Sequence, residues 1–403
     1  MVIKSSFYLL VERVLNAASS FLTLTLAANL LDTSDFGLYS YNVAVYSISA
    51  PLIFFGLNGL LVRRFLDSTR TASVIVNAAI IRLVSFIFIA LALYGATFLN
   101  GKISIILVLA LFGGIFQTFE SYNQAFENNK LTMNVRVLIS IVFLGVKFGL
   151  LSGNSGSVDT LILVFSSELA AYFIVGFFSS IQINLSLSLI RISEIKYMIS
   201  GGIFLVASGF AEVINLRIDQ IMVAEIVGVE KGGQYAIAAR MIEFPVMFAA
   251  VIAAAYFPKF YTSSIRKDRL YQNLRKLNLF MLLASSAAII ILYLIGPLII
   301  NIFFGAQYSS SAQAMVYLLP CIYMLFFRVV ISKWILATGL YWYSLYSHAI
   351  GAITNIFLNY FFIPEWGVNG AVAASLISYF SACWIALLIN PNTRSYLRHA
   401  YFK

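Results

Sequence analysis

Charge is what this sequence has least of. Asp, Glu, Lys and Arg make up 10% of its 403 residues, where a soluble domain carries roughly a quarter. With a hydrophobic fraction of 61% and a mean hydropathy of +0.92, that scarcity excludes an ordinary soluble fold. Cysteine is nearly missing too. Cys321 and Cys383 both fall in apolar stretches, which excludes a disulfide framework and leaves apolar packing as their expected role. No polar connection is long enough to hold a soluble catalytic domain, which needs roughly 50 residues. Metal-ligand clusters, phosphate-binding glycine loops and catalytic triad signatures are lacking as well, so the pattern does not predict an enzyme or a bound cofactor. A cleavable signal is not expected, because the run from Phe7 to Leu31 is too long for a signal core and no A-x-A-like site follows it.

What is present is a series of twelve apolar stretches at about 7–31, 37–60, 72–98, 103–127, 131–152, 158–182, 197–224, 233–257, 276–304, 311–337, 341–363 and 369–390. Each has the roughly 20 residues needed to cross about 30 Å of hydrocarbon. They predict an all-α polytopic membrane protein with twelve transmembrane helices. The loops between them alternate in charge. One set holds Lys4, Arg63, Arg64, Arg70, Lys130, Arg191, Lys196, the cluster from Lys259 to Lys276, and Arg394, Arg398 and Lys403, while the other holds only Lys102 and Lys231. Cytoplasmic loops carry the basic excess, so both termini are expected in the cytoplasm. The net charge of +10 is then a topology signal that suits an anionic inner leaflet, and it requires no nucleic acid.

Fourteen charged residues nevertheless fall inside the apolar stretches: Arg13, Arg82, Arg136, Lys147, Arg217, Arg240, Arg328, Lys333, Glu12, Glu120, Glu168, Glu212, Asp219 and Glu243. Each costs on the order of 3 kcal/mol or more at a helix centre. A polar interior that they line is the usual explanation, and the chain reads as a transporter. For each charge there are two readings, a lining residue or one partner of a structural pair. Arg240 and Glu243 are i, i+3 neighbours, which suits pairing. Glu212 has no basic partner on its own helix at that spacing, which suits proton or sodium coupling, and Arg217 with Asp219 suits a structural or gate role. His348, Asn355 and Asn359 form a further polar stripe, with His348 read as a structural donor.

The two halves also look alike. Glu12, Asn16, Ser19 and Thr23 share one helical face, as do Ser208, Glu212, Asn215 and Asp219. A shift of 196 residues maps the first set onto the second, and takes Gly37 to Gly233, Tyr39 to Tyr235 and Arg63 to Lys259. Six helices per half, both starting on the same side, predict parallel repeats related by an axis along the membrane normal. The expected division is 1–182 for the N-terminal bundle, 183–196 for a cytoplasmic linker and 197–403 for the C-terminal bundle, with the two polar stripes facing a central cavity.

The segment from Ile214 to Phe260 carries R-x-D-Q (Arg217, Asp219, Gln220) and G-x-Y-x-x-A-x-R (Gly233, Tyr235, Ala238, Arg240). With LLDTSDFGLYSYN near the N-terminus, it resembles the polysaccharide-transport family of the multidrug/oligosaccharidyl-lipid/polysaccharide exporter superfamily, which includes the O-antigen flippases. The resemblance implies a V-shaped pair of six-helix bundles in a bacterial inner membrane. These would carry an oligosaccharide on undecaprenyl diphosphate to the periplasmic leaflet by alternating access, driven by a proton or sodium gradient. It also implies a polysaccharide polymerase and other pathway proteins as partners. On this reading Arg13, Asn16, Arg82, Lys147, Arg217, Tyr235, Arg240 and Arg328 are candidates to meet substrate, since arginine donates bidentately to a diphosphate. Glu212, Asp219 and Glu243 are candidates for ion coupling. A multidrug exporter of the same superfamily is the nearest alternative, expected to have a more acidic cavity. A membrane polymerase or glycosyltransferase is the alternative from another class.

Overall fold

The computed structural model of the protein describes residues 18–67, 70–126, 129–153, 157–158, 162, 170–180, 183, 185–263, 267–391, 393–394 and 396–397. Among these the ordered elements are helices, with no strand. Eight stretches are long and apolar enough to cross a membrane. In chain order the helices are α1 (Ala18–Leu30), α2 (Thr33–Phe54), α3 (Leu57–Asp67), α4 (Thr71–Asn100), α5 (Ile105–Leu111), α6 (Gln117–Ala125), α7 (Asn129–Gly153), α8 (Ala170–Ser180), α9 (Ile192–Ile226), α10 (Val229–Ser263), α11 (Lys267–Phe304), α12 (Ser309–Leu318), α13 (Cys321–Thr338), α14 (Tyr341–Trp366), α15 (Val368–Phe380) and α16 (Ala386–Ile389). A 3₁₀ turn, Phe112–Phe116, joins α5 to α6, and a π turn, Ser381–Ile385, joins α15 to α16.

Local chemistry sets several of these boundaries. The Asp32 side chain caps α2 by accepting from the Asp35 amide at 2.7 Å, and Asp35 adds negative charge to the first turn, where the helix dipole favours it. Between α2 and α3 the backbone breaks at Phe55 (φ 51°) and Gly56 (φ 56°). Only glycine fits the second position, because a Cβ on Gly56 would lie 2.7 Å from the Val206 amide nitrogen of α9. The expected span 37–60 is therefore two helices, and Arg63 and Arg64 lie in the last turns of α3 rather than in a loop. The 259–275 stretch, which reads as a polar connection, is likewise mostly helix, since α10 runs to Ser263 and α11 starts at Lys267. Hydropathy marks where hydrocarbon ends and a helix need not stop there. At 35, 35 and 38 residues, α9, α10 and α11 are longer than the roughly 30 Å core requires at 1.5 Å per residue.

The helix starts repeat between the halves. Thr33 and Thr71 begin α2 and α4, and 196 residues later Val229 and Lys267 begin α10 and α11. By contacts the chain separates into unit 1 (Met1–Phe210) and unit 2 (Ala211–Lys403), with the division inside α9. Unit 1 has an apolar core that includes Leu57, Leu61, Phe65, Ile75, Phe119 and Met198. In unit 2, α10 packs on α11, α12 and α13, and α14 packs on α15.

Candidate functional site

The hairpin of α9 and α10 turns at Val227 and Gly228, so residues equally far from the turn on either side lie level. Asp219 and Tyr235 meet in this way. The Tyr235 hydroxyl and the Ser375 hydroxyl of α15 both donate to Asp219 Oδ2, at 2.5 and 2.7 Å. All three residues are buried. Arg217 and Glu243 are not level. They differ by about five residues, roughly 7 Å of rise, which the long arginine side chain spans. Its terminal nitrogens donate to both Glu243 oxygens, at 2.5 and 2.8 Å, the bidentate geometry that makes such pairs strong. Arg240 adds a longer contact to Glu243 at 3.4 Å. The two sequence signatures thus fold into one polar network tying α9, α10 and α15 together. Arg217 takes Glu243 as its hydrogen-bonded partner, and Asp219 takes two hydroxyls.

A second cluster lies one to two turns along α9. Glu212 Oε2 is 3.6 Å from His348 Nδ1 on α14, with 49% of the glutamate side chain exposed. Within electrostatic range of both is Arg328 of α13. Its two terminal nitrogens are buried and have no hydrogen-bond partner. The Cys383 thiol beside it is only a weak acceptor. Asn215 packs against Gly351, where an added Cβ would lie 2.5 Å from its Nδ2 and 2.9 Å from the Ala382 Cβ, and the Asn215 Oδ1 is also buried without a partner. The two unmatched guanidinium nitrogens of Arg328 are donors that a polar or anionic group would complete.

Arg82 in unit 1 is different. It is fully buried and donates to Thr118 Oγ1 at 3.0 Å and Asn58 Oδ1 at 2.7 Å, bracing α4 against α6 and α3. Arg136 donates to Glu120 at 2.9 Å, joining α7 to α6. Neither Thr118, Asn58 nor Ser375 stands out in the sequence, since each is an uncharged residue in a helix where such residues are common. Ser19 and Thr23 are buried, with the Thr23 hydroxyl donating to the Ser19 carbonyl at 2.8 Å. Arg13, Asn16, Glu12 and Glu168 lie outside the described residues, as does the side chain of Lys147. Among the described residues no three His, Cys, Asp or Glu side chains are grouped to hold a metal.

A family profile described as polysaccharide biosynthesis protein matches residues 2–264, well over half of the chain. The chain belongs to that family. As a polysaccharide biosynthesis protein it is 21% identical over 390 residues to the probable low-salt glycan biosynthesis flippase Agl15 of Haloferax volcanii, covering 93% of this chain and 80% of that one. Its fold is like that of a MOP superfamily transporter from Pyrococcus furiosus whose binding pocket is described as having reverse polarity (TM-score 0.61, 13% identity, 99% of this chain and 96% of that one). It is also like that of a multidrug resistance MATE family transporter of the same superfamily in its inward-facing conformation (TM-score 0.60, 13% identity, 98% and 96%). These neighbours share a fold of two helical repeats. The family match and the eight apolar spans mark a multi-pass membrane protein of polysaccharide biosynthesis, and its fold is one that membrane transporters share.

Proposed function

We propose that this polysaccharide biosynthesis protein carries an oligosaccharide linked to a polyprenyl diphosphate, undecaprenyl diphosphate in a bacterium, from the cytoplasmic to the opposite leaflet. The two halves work by alternating access in the cell inner membrane, with both termini cytoplasmic as the loop charges favour. The observation that carries this reading is Arg328, a buried guanidinium with both terminal nitrogens unpartnered. Donors left unmatched away from water cost roughly 1–3 kcal/mol each, and the planar fork matches the oxygens of a diphosphate. The name of the Haloferax relative supports the substrate class. Glu212, half exposed beside His348, suits the coupling proton or sodium ion. Deleting the gene should abolish a surface polysaccharide and leave lipid-linked units facing the cytoplasm, and Arg328→Ala should fail to restore it although the variant reaches the membrane.

The exposed Glu212 carboxylate favours a second reading, the multidrug exporter, in which it would meet an organic cation. Lipid-linked units that still reach the outer leaflet in the deletion strain, with drug sensitivity raised, would decide for that reading.

A further inference from the structure

Unit 1 carries an apolar groove of about 820 Å³ between α4, the 3₁₀ turn with α6, and α8. Its floor is Ile75, Ile115 and Phe119, each more than nine-tenths buried, and its rim is the exposed Leu83, Phe177 and Phe178. Six of the lining side chains are phenylalanine. The lining hydroxyl, that of Ser180, is turned back onto the Phe177 carbonyl at 2.8 Å. Leu185 closes one end, and the segment that follows it is pinned across the start of α4. Ser73 Oγ and Asn77 Nδ2 donate to the Leu189 carbonyl at 2.9 and 3.1 Å, and the Arg191 amide donates to Asn77 Oδ1 at 2.9 Å. Asn77 is the immediate neighbour of the lining residue Val76. The backbone at the same end of the groove therefore carries two exposed arginine residues, Arg191 and the N-cap residue Arg70.

We infer that this groove docks the polyprenyl chain of the lipid-linked substrate as it is loaded, with Arg70 and Arg191 meeting the anionic head on entry, before transport proper engages Arg328. The inference rests on the flippase reading and names the lipid half of its substrate. Within a bilayer there is no hydrophobic gain in moving a chain from lipid to protein, so a tail site works by shape and dispersion alone. A phenyl-walled groove supplies both for a branched, unsaturated isoprenoid, whose methyl and vinyl C–H edges meet ring faces. The charges fit as well: an apolar groove ending in two arginines matches an amphiphile with an apolar tail and an anionic head.

The test is flipping in proteoliposomes by the full chain, with the same glycan diphosphate presented on an undecaprenyl and on a geranyl chain. The wild type should flip the long-chain substrate about tenfold faster. Ala79→Trp, which fills the groove from α4, should slow that substrate by a similar factor, the scale of overpacking an apolar site, and so erase most of the difference between the two substrates. Arg191→Gln should slow both substrates equally. A photoreactive residue in place of Phe177 should capture the polyprenyl-linked substrate, and this readout stands even if Ala79→Trp does not fold. Equal rates for both chain lengths in the wild type, or capture of bilayer phospholipid alone, would overturn the groove assignment while leaving the flippase reading intact. Flipping of neither substrate would sink the flippase reading, and the groove assignment with it.

Discussion

Glu243 and Glu212 lie on adjacent helices of unit 2 and have opposite surroundings. Glu243 is held by Arg217 and Arg240, so removing one partner leaves a buried charge uncompensated. Arg217→Ala should cost about 3–5 kcal/mol, seen as a lower melting temperature in detergent and a lower membrane yield. An unchanged melting temperature would show that the pair contributes nothing to folding. Glu212 keeps 49% of its side chain exposed and needs no such partner. Glu212→Gln, which retains shape and hydrogen bonding, should reach the membrane at wild-type level and lose the pH or sodium dependence of transport; unaltered ion dependence would remove it from the coupling role. The Arg240–Glu243 contact was legible from i, i+3 spacing. The stronger Arg217–Glu243 pair was not, because its partners are 26 residues apart on two helices and only the hairpin brings them within reach.

Among the elements, the break between α2 and α3 decides how unit 1 packs. Gly56 combines a positive φ with a Cβ position 2.7 Å from the α9 backbone, so neither strain nor clash is relieved by moving a side chain. Gly56→Ala should therefore destabilise by about 1 kcal/mol or more, whereas Gly59→Ala, three residues on with open space around it, should be neutral or stabilise by up to about 1 kcal/mol. Thermal unfolding of the two variants side by side checks this, and equal losses would refute the packing argument. Hydropathy located the eight stretches long and apolar enough to cross a membrane and placed their helical ends poorly. Arg63, Arg64 and the 259–275 stretch are polar, yet most of this sequence is helical, because a helix that leaves hydrocarbon satisfies its own backbone hydrogen bonds in water as readily as a loop does. Arg64 is further held by Glu194 at 3.1 Å and stacks over Tyr197.

For the whole molecule, orientation rests on the uneven loop charges. Alkaline phosphatase fused after Lys231 or Ser309 should be active, and fused after Arg191 or at the C-terminus inactive. Activity at the C-terminus would invert or break the proposed topology. The offset of 196 residues read from a few polar positions recurs in the starts of α2 and α10 and of α4 and α11. A repeat is legible in sequence when duplicated stretches keep their lengths: Thr33–Asp67, broken at Phe55 and Gly56, has the 35 residues of α10, whereas α11 with 38 outruns α4 with 30.

The sequence by itself determined the solvent, the helical class, the repeat and the family. Solvent and helical class follow from composition and periodicity, which accumulate over hundreds of residues, and the repeat and the family from residue types kept at fixed spacing; none of these depends on any one contact. Only the tertiary structure decided which partners the described intramembrane charges meet. Arg82 is braced by Thr118 and Asn58, Arg217 is closed by Glu243, and Arg328 keeps two buried nitrogens unmatched. In a medium that offers no water, the role of a charge is set by which neighbouring helix brings a partner within about 3 Å, and that distance is a property of packing between segments far apart in the chain.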